Sequence, residues 1–287
     1  MAIRLSNRLS ALASLVSKGH RLADIGTDHG YIPIYLCQTG IIPSAIAMDI
    51  GKGPLQQATA HIKQQGLSSR IRTRLSDGLT ALQPGEADTI LIAGMGGGLV
   101  MKILSQGTHA LTGSEELILQ PQSEIAQVRA YLRTHGFRIL EEEMILEDGK
   151  YYPMMKVVQE TASNQREETV QVQVEDAFGP VLLQKKHPVL KEWLQRELQT
   201  VDTVCCQLAA QPENERITIR MAQVQEKRQL ILEALKRYET ADVRRLRTSA
   251  EVLIPPAGRS QPVRWRSPSF PGTSDRRHNR IHCRRSR

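Results

Sequence analysis

The sequence predicts an open α/β sheet with helices on both faces, closed by an antiparallel strand pair and followed by a helical hairpin. Three observations carry that expectation. Between residues 21 and 160, short apolar runs alternate with amphipathic stretches, the pattern of repeated β–α units. The series ends in two longer apolar runs flanking Glu147-Asp148-Gly149, and Asp-Gly is a hairpin signal. From Leu190 onward the apolar residues step by four or three, which signals helices that pair along a seam.

Taken in order, Leu5, Leu9, Leu12 and Val16 make one face of a leading helix over residues 4–18. A signal peptide is not expected there, because Ser10 and Ser14 interrupt the apolar run and its Ala-x-Ala lies inside it. Five strands follow: "RLADIG", "AIAMDI", "IRTRLSD", "DTILIAGM" and "ELILQP". Helices are expected between them near 33–39, 54–65, 98–106 and 123–135. "FRILEEEMIL" and "YYPMMKVVQE" form the terminal hairpin. Residues 161–176 are polar and poor in aromatics, so they read as a linker or surface segment. Leu190, Leu194, Leu198, Val201, Cys205 and Leu208 form one seam. After a break at "QPEN", Ile217, Met221, Val224, Arg228, Ile231, Leu235 and Tyr238 form the other. Arg228, on that seam, is expected to extend its charged head to water. The expected organisation is therefore a sheet domain over 1–160, a linker and antiparallel coiled-coil over 161–243, and a tail over 244–287.

The net charge of +8 belongs to the tail. Residues 244–287 hold twelve Arg, no Lys and two acids, Glu251 and Asp275, whereas residues 1–243 carry a net charge of −2. Prolines, Arg and Ser dominate the tail, a composition that argues for disorder. It suits either a basic RNA-binding arm or a segment unrelated to the body, such as one read in a shifted frame. His278, His282 and Cys283 match no full zinc site, so no metal is expected. Four cysteines without a CxxC pair suggest no disulfide framework, and no apolar run is long enough to span a bilayer. A cytoplasmic monomer is the expectation.

Ligands bind such sheets beyond the carboxyl ends of the strands. The first loop reads Asp24, Gly26, Thr27, Asp28, His29, Gly30. Asp28 stands where a dinucleotide loop would carry its second glycine, and a carboxylate there would repel a pyrophosphate. It would tolerate a cationic sulfonium, which points to S-adenosylmethionine and away from a nicotinamide cofactor. Asp49 ends the second strand, where an acid typically accepts hydrogen bonds from ribose hydroxyls. Asp77-Gly78 ends the third and suits an adenine amino group. "AGMGGG" ends the fourth, offering Ala93, Gly94 and Met95 to the cofactor and Gly96 and Gly97 to a flat substrate ring.

These residues resemble a known family. "ADIGTDHGYIPIYL", "RLSDGL", "IAGMGGGLV", "LILQP" and "LEDGKYY" occur in this order in the bacterial tRNA (adenine-22-N1)-methyltransferases, and the resemblance spans roughly residues 4–240. It implies a Rossmann-like class I methyltransferase sheet with an antiparallel final strand and a C-terminal coiled-coil. It further implies S-adenosylmethionine as cofactor and tRNA as partner. Asp49 where glutamate is usual, Gln122 where asparagine is usual, and Tyr152-Pro153 depart from the family pattern. Under this reading Asp28, His29 and Tyr31 are the candidate catalytic residues. Asp28 would offset positive charge developing on the base, and His29 and Tyr31 would orient or stack on it. Arg4 and Arg8 would reach RNA phosphates, with Lys18 and Arg21 as further candidates. Another methyl acceptor, or a non-catalytic RNA-binding module, remains the alternative.

Overall fold

A computed structural model describes residues 3–160, 167–212 and 214–239. The Arg-rich tail and its histidines lie outside the described residues. The chain begins with α1 (Asn7–Leu15), β1 (Leu22–Ile25), α2 (Tyr31–Gln38), β2 (Ala45–Asp49), α3 (Lys52–Gln64) and β3 (Ile71–Leu75). It continues with β4 (Thr89–Met95), α4 (Gly97–Gln106), α5 (Thr108–Leu111), β5 (Glu116–Pro121) and α6 (Ile125–Thr134). The hairpin is β6 (Phe137–Glu147) and β7 (Lys150–Gln159). Helices α7 (Val170–Phe178), α8 (Pro180–Gln184), α9 (Pro188–Ala209) and α10 (Glu215–Lys236) follow.

The seven strands form one sheet in the order β3-β2-β1-β4-β5-β7-β6. The first five are parallel, and β7 runs antiparallel between β5 and β6. The strand order reverses between β1 and β4, so a crevice opens beyond their carboxyl ends. Alternate residues of a strand face opposite sides, and β4 shows this directly. Ile90 and Ile92 join the apolar layer formed with α4 and α6, whereas Leu91 joins the layer formed with α1 and α2. At the opposite, amino end of the sheet, the buried Glu116 carboxylate accepts from Ser17 N and Oγ and from Thr89 Oγ1, and pairs with Lys156 Nζ at 2.9 Å. Arg21 lies at that end too and pairs with Asp88, so it is held away from the crevice.

Helix α1 is shorter than its apolar period. The Ser6 hydroxyl accepts from Leu9 N and starts it, and Val16 turns extended and ends it. The expected linker is the larger departure: from Val170 the chain is helix α7. "VQVQVEDAF" alternates with period two, which does not signal a helix. Burial decides instead. Thr169 caps the helix, Val172 is buried, and Val174 and Phe178 are buried in a core shared with α9 and α10. Met144 of β6 belongs to the same core, so the helical segment is packed onto the sheet. Helices α9 and α10 pair as a hairpin through Leu190, Leu194, Val201, Val224 and Ile231. Arg228 sits at that interface and its Nε reaches Asp202 at 2.6 Å.

Candidate active site

A cavity of about 370 Å³ lies at the crevice. The first loop supplies most of its wall. Gly26 and Gly30 adopt left-handed backbone, with φ of 76° and 70°. That conformation turns the chain sharply from β1 into α2 and leaves Asp24, Thr27, Asp28, His29 and Tyr31 around the opening. Ala93 and Gly94 close the β4 side, Gln122 the β5 side, and Arg8 of α1 the rim.

Asp24 is the buried acid of this cavity. Burial pushes its carboxyl from an ordinary value near 3.8 up to about 6, opposed by the neighbouring Thr27 hydroxyl and reinforced by the charge of Asp49. Thr27 Oγ1 lies near enough to soften that shift but has no partner of hydrogen-bond geometry. His29 Nδ1 is also buried and unpartnered. Two buried polar atoms without a partner, on residues that line the same cavity as a buried carboxyl, make a site that a polar ligand would complete. At the mouth, His29 Nε2 lies 3.3 Å from an Asp28 carboxylate oxygen whose side chain is 75% exposed. The His29 and Tyr31 rings stack with centroids 5.2 Å apart. His61 of α3 stacks on both at 5.5 and 5.7 Å, and its Nδ1 lies 3.2 Å from the His29 carbonyl oxygen.

Apart from Arg8 at the rim, the remaining candidates stand outside the cavity wall. The Asp49 carboxylate accepts from Gly51 N at 2.7 Å, which shapes the turn into α3 and leaves one oxygen for a ligand. Asp77 and Gly78 form the next turn, and a Cβ on Gly78 would press Ile103 at 2.9 Å. Met95 leans its terminal methyl on Gly26, where a Cβ would approach it to 2.2 Å. Gly96 and Gly97 have a packing role. Gly96 caps α4, and a Cβ on Gly97 would meet the Ser123 carbonyl at 2.5 Å. Gly98 N donates to Glu124 Oε2 at 2.8 Å. These glycines let the β4–α4 turn pack on the β5–α6 turn, so the loop reaches the cavity only through Ala93 and Gly94. Arg4 is exposed. Arg8 is engaged: its guanidinium donates to Gln120 Oε1 at 3.1 Å and lies over the Tyr152 ring at 5.5 Å.

Comparison with known proteins fits this geometry. A family model described as a methyltransferase domain matches residues 5–155. The tRNA (adenine(22)-N(1))-methyltransferase of Bacillus subtilis (strain 168) is 34% identical over 234 residues, which is 81% of this chain and 98% of that protein. The chain belongs to the tRNA (adenine(22)-N(1))-methyltransferase family. The crystal structure of TrmK, the B. subtilis member, superposes with a TM-score of 0.73 at 32% identity, covering 81% of this chain and 99% of that one. Streptococcus pneumoniae Sp1610, solved with S-adenosyl-L-methionine bound, gives 0.70 at 34% identity and covers 81% and 100%.

Against this family the cavity's chemistry is coherent. A ligand with an ammonium, a carboxylate and a sulfonium suits the Asp24 carboxylate, the amino end of α2 and the open Asp28 side respectively. Two contributors were not apparent as site residues in the sequence. His61 carries no motif signal and reaches the site only through the fold. Gln122 was legible only as a departure from the family pattern, yet it lines the cavity and its N–H donates to the Met95 carbonyl at 2.8 Å.

Proposed function

We propose that this protein transfers a methyl group to N1 of an adenine in tRNA, at position 22 as in its B. subtilis relative. The reading is carried by one observation: an acid and stacked aromatic rings, Asp28 with His29 and Tyr31, stand at the mouth of a cavity whose depth holds a buried carboxylate. Bound there, S-adenosylmethionine supplies an electrophilic methyl group. Asp24, Thr27, Gly26 and Gly30 hold its amino-acid end. Asp49 takes the ribose hydroxyls, and Asp77, Gly78 and Met95 border the adenine.

Adenine N1 carries its own lone pair, so no base is required to generate the nucleophile. Methylation leaves the ring cationic. Asp28 is placed to stabilise that charge as it forms, and an interaction made chiefly in the transition state accelerates the reaction. His29 and Tyr31 stack on the base or hold its edge, the usual means of gripping a nucleotide taken out of its helix. Arg8 acts one step removed, by fixing Gln120 and Tyr152.

We assign residues 1–160 to methyl transfer, 161–243 to a linker and helical coiled-coil that extends the RNA footprint, and 244–287 to a tail outside both. A monomer acting on cytoplasmic tRNA completes the reading. The test is nucleoside mass spectrometry of tRNA incubated with protein and methyl-labelled cofactor. Labelled 1-methyladenosine at position 22 is expected. Label on another base, or cofactor binding without transfer, overturns the assignment.

A further inference from the structure

A second cavity, of about 550 Å³, lies beside the first and shares Gln122 as a wall. Its origin is the length of the hairpin. Only Leu117–Leu119 of β5 pair with β7, at Met155–Val157, so the start of β7 projects past the carboxyl end of β5. This overhang carries Lys150, Tyr151 and Tyr152 over the crevice, and α9 closes the far side with Trp193 and Arg196. Both the methyltransferase sheet and the helical hairpin thus contribute to one concave surface.

The lining has two chemistries. Tyr151, Tyr152 and Trp193 are half-buried rings, and each reaches the cavity. Lys150 and Arg196 are exposed, and neither pairs with a carboxylate among the described residues. The one acid in the lining, Glu197, is neutralised by Lys227 at 2.6 Å. Aromatic faces interleaved with unpaired cations are the means by which proteins hold single nucleotides: bases stack, and phosphates pair with the cations. The cavity shares its Gln122 wall with the proposed methyl-transfer site, and Arg8 touches both, lining the first and stacking on Tyr152 of the second.

We propose that this second cavity is a subsite for the RNA nucleotide next to the methylated adenine, with its base against Trp193 and Tyr151, which share one face of the hairpin, and its phosphate on Lys150 and Arg196. The proposal rests on RNA being the substrate. The hairpin and α9 then work together. They hold the strand while the target base turns into the first cavity, and they bias which sequence context is accepted.

The test uses the full chain and an unmodified tRNA transcript. In Lys150→Glu/Arg196→Glu, both sites are exposed and folding should be retained, which the melting temperature checks. KM for tRNA should rise about tenfold or more, while kcat at saturating tRNA and cofactor affinity stay within about twofold. In a Trp265→Phe background Trp193 is the sole tryptophan of the chain. Its fluorescence should change on adding tRNA and be unaffected by cofactor alone. An unchanged KM with silent Trp193 fluorescence overturns the subsite. A fall in kcat with unchanged KM also overturns it, since the cavity would then hold the reacting base. If the wild-type protein methylates no tRNA, the proposed activity fails instead, and the fluorescence and affinity for the transcript still decide the subsite.

Discussion

Arg129 of α6 donates from Nε to Glu142 Oε1 of β6 at 2.9 Å, and both side chains are buried, at 2% and 0% exposure. Each also bonds across the junction with the helical segment. Arg129 also donates to the Asp176 and Ala177 carbonyls at the end of α7, and Glu142 accepts from Val181 N and Leu182 N at the start of α8. Gly179 between them has a φ of 95°, and a Cβ there would come 2.7 Å from the Glu142 oxygens. A buried ion pair is a poor source of net stability, but removing one partner leaves the other charge buried and unpaired, which is strongly destabilising. Here it fixes where α7 and α8 meet the sheet, and through them where α9 stands over the crevice.

Glu142→Ala should therefore destabilise the protein by about 3–5 kcal/mol, since it strands the Arg129 charge and two backbone N–H groups. The double variant Arg129→Met/Glu142→Leu should lose clearly less than Glu142→Ala, because no charge is left buried. Urea unfolding of the three proteins checks the order. Equal losses would mean that the pair acts through packing alone.

Asp24 links stability to ligand binding. Its folded-state value, about 6, lies above its ordinary value near 3.8. Between those pH values the folded protein keeps a proton that the unfolded chain releases, so this group's contribution to stability falls as pH rises through that window and stays low above 6. Asp24→Asn removes the buried charge. At pH 7 the ligand-free variant should melt above the wild type, by a margin equivalent to about 1–3 kcal/mol, and the margin should shrink towards pH 5. Cofactor affinity should move oppositely: lost in the variant, and falling in the wild type as pH drops below 6. Calorimetry at both pH values reads the two effects together, and a variant that melts below the wild type while binding cofactor normally would refute the role.

How much of this was legible in the sequence follows from what each residue depends on. β4 was legible because Ile90, Leu91 and Ile92 are buried on alternating faces and leave an unbroken apolar run. Helix α7 was not, because its alternating valines carry no helical period and only the surrounding core makes it a helix. Asp24, Asp28 and His29 stood out because charges in a glycine turn need a reason. The packing role of Gly97 did not, since it depends on Ser123, far along the chain. Only with α3 in place does His61 stack on His29 and Tyr31, and only with α9 in place does Trp193 line the second cavity.

Asp49→Ala should weaken cofactor binding by about 1–3 kcal/mol, the scale of hydrogen bonds to a charged group. Some of that loss comes from the turn, since Gly51 N loses its acceptor. Asp49→Asn keeps that acceptor and should recover part of the affinity. Equal affinity of wild type and Asp49→Ala in a titration would remove Asp49 from the cofactor site.

Removal of residues 244–287 should leave tRNA methylation within about threefold at moderate salt, because an arm making many phosphate contacts would lose far more. The break in charge and composition after residue 243 motivates the expectation. A loss of turnover by orders of magnitude would instead make the arginines an RNA-binding arm.

Asp28→Asn separates mechanism from scaffolding. The side chain is mostly exposed, and its charge contact among the described residues is His29 at 3.3 Å. Asparagine keeps the size and the turn-forming capacity and loses only the charge. If the carboxylate stabilises the cation forming on the adenine ring, turnover should fall on the order of a hundredfold with little change in cofactor affinity. A residue that merely shapes the loop would instead lower melting temperature and cofactor binding together. Single-turnover methylation, cofactor titration and melting on one preparation tell these apart. Turnover near wild type in a folded Asp28→Asn protein would assign the charge at the cavity mouth to something other than catalysis.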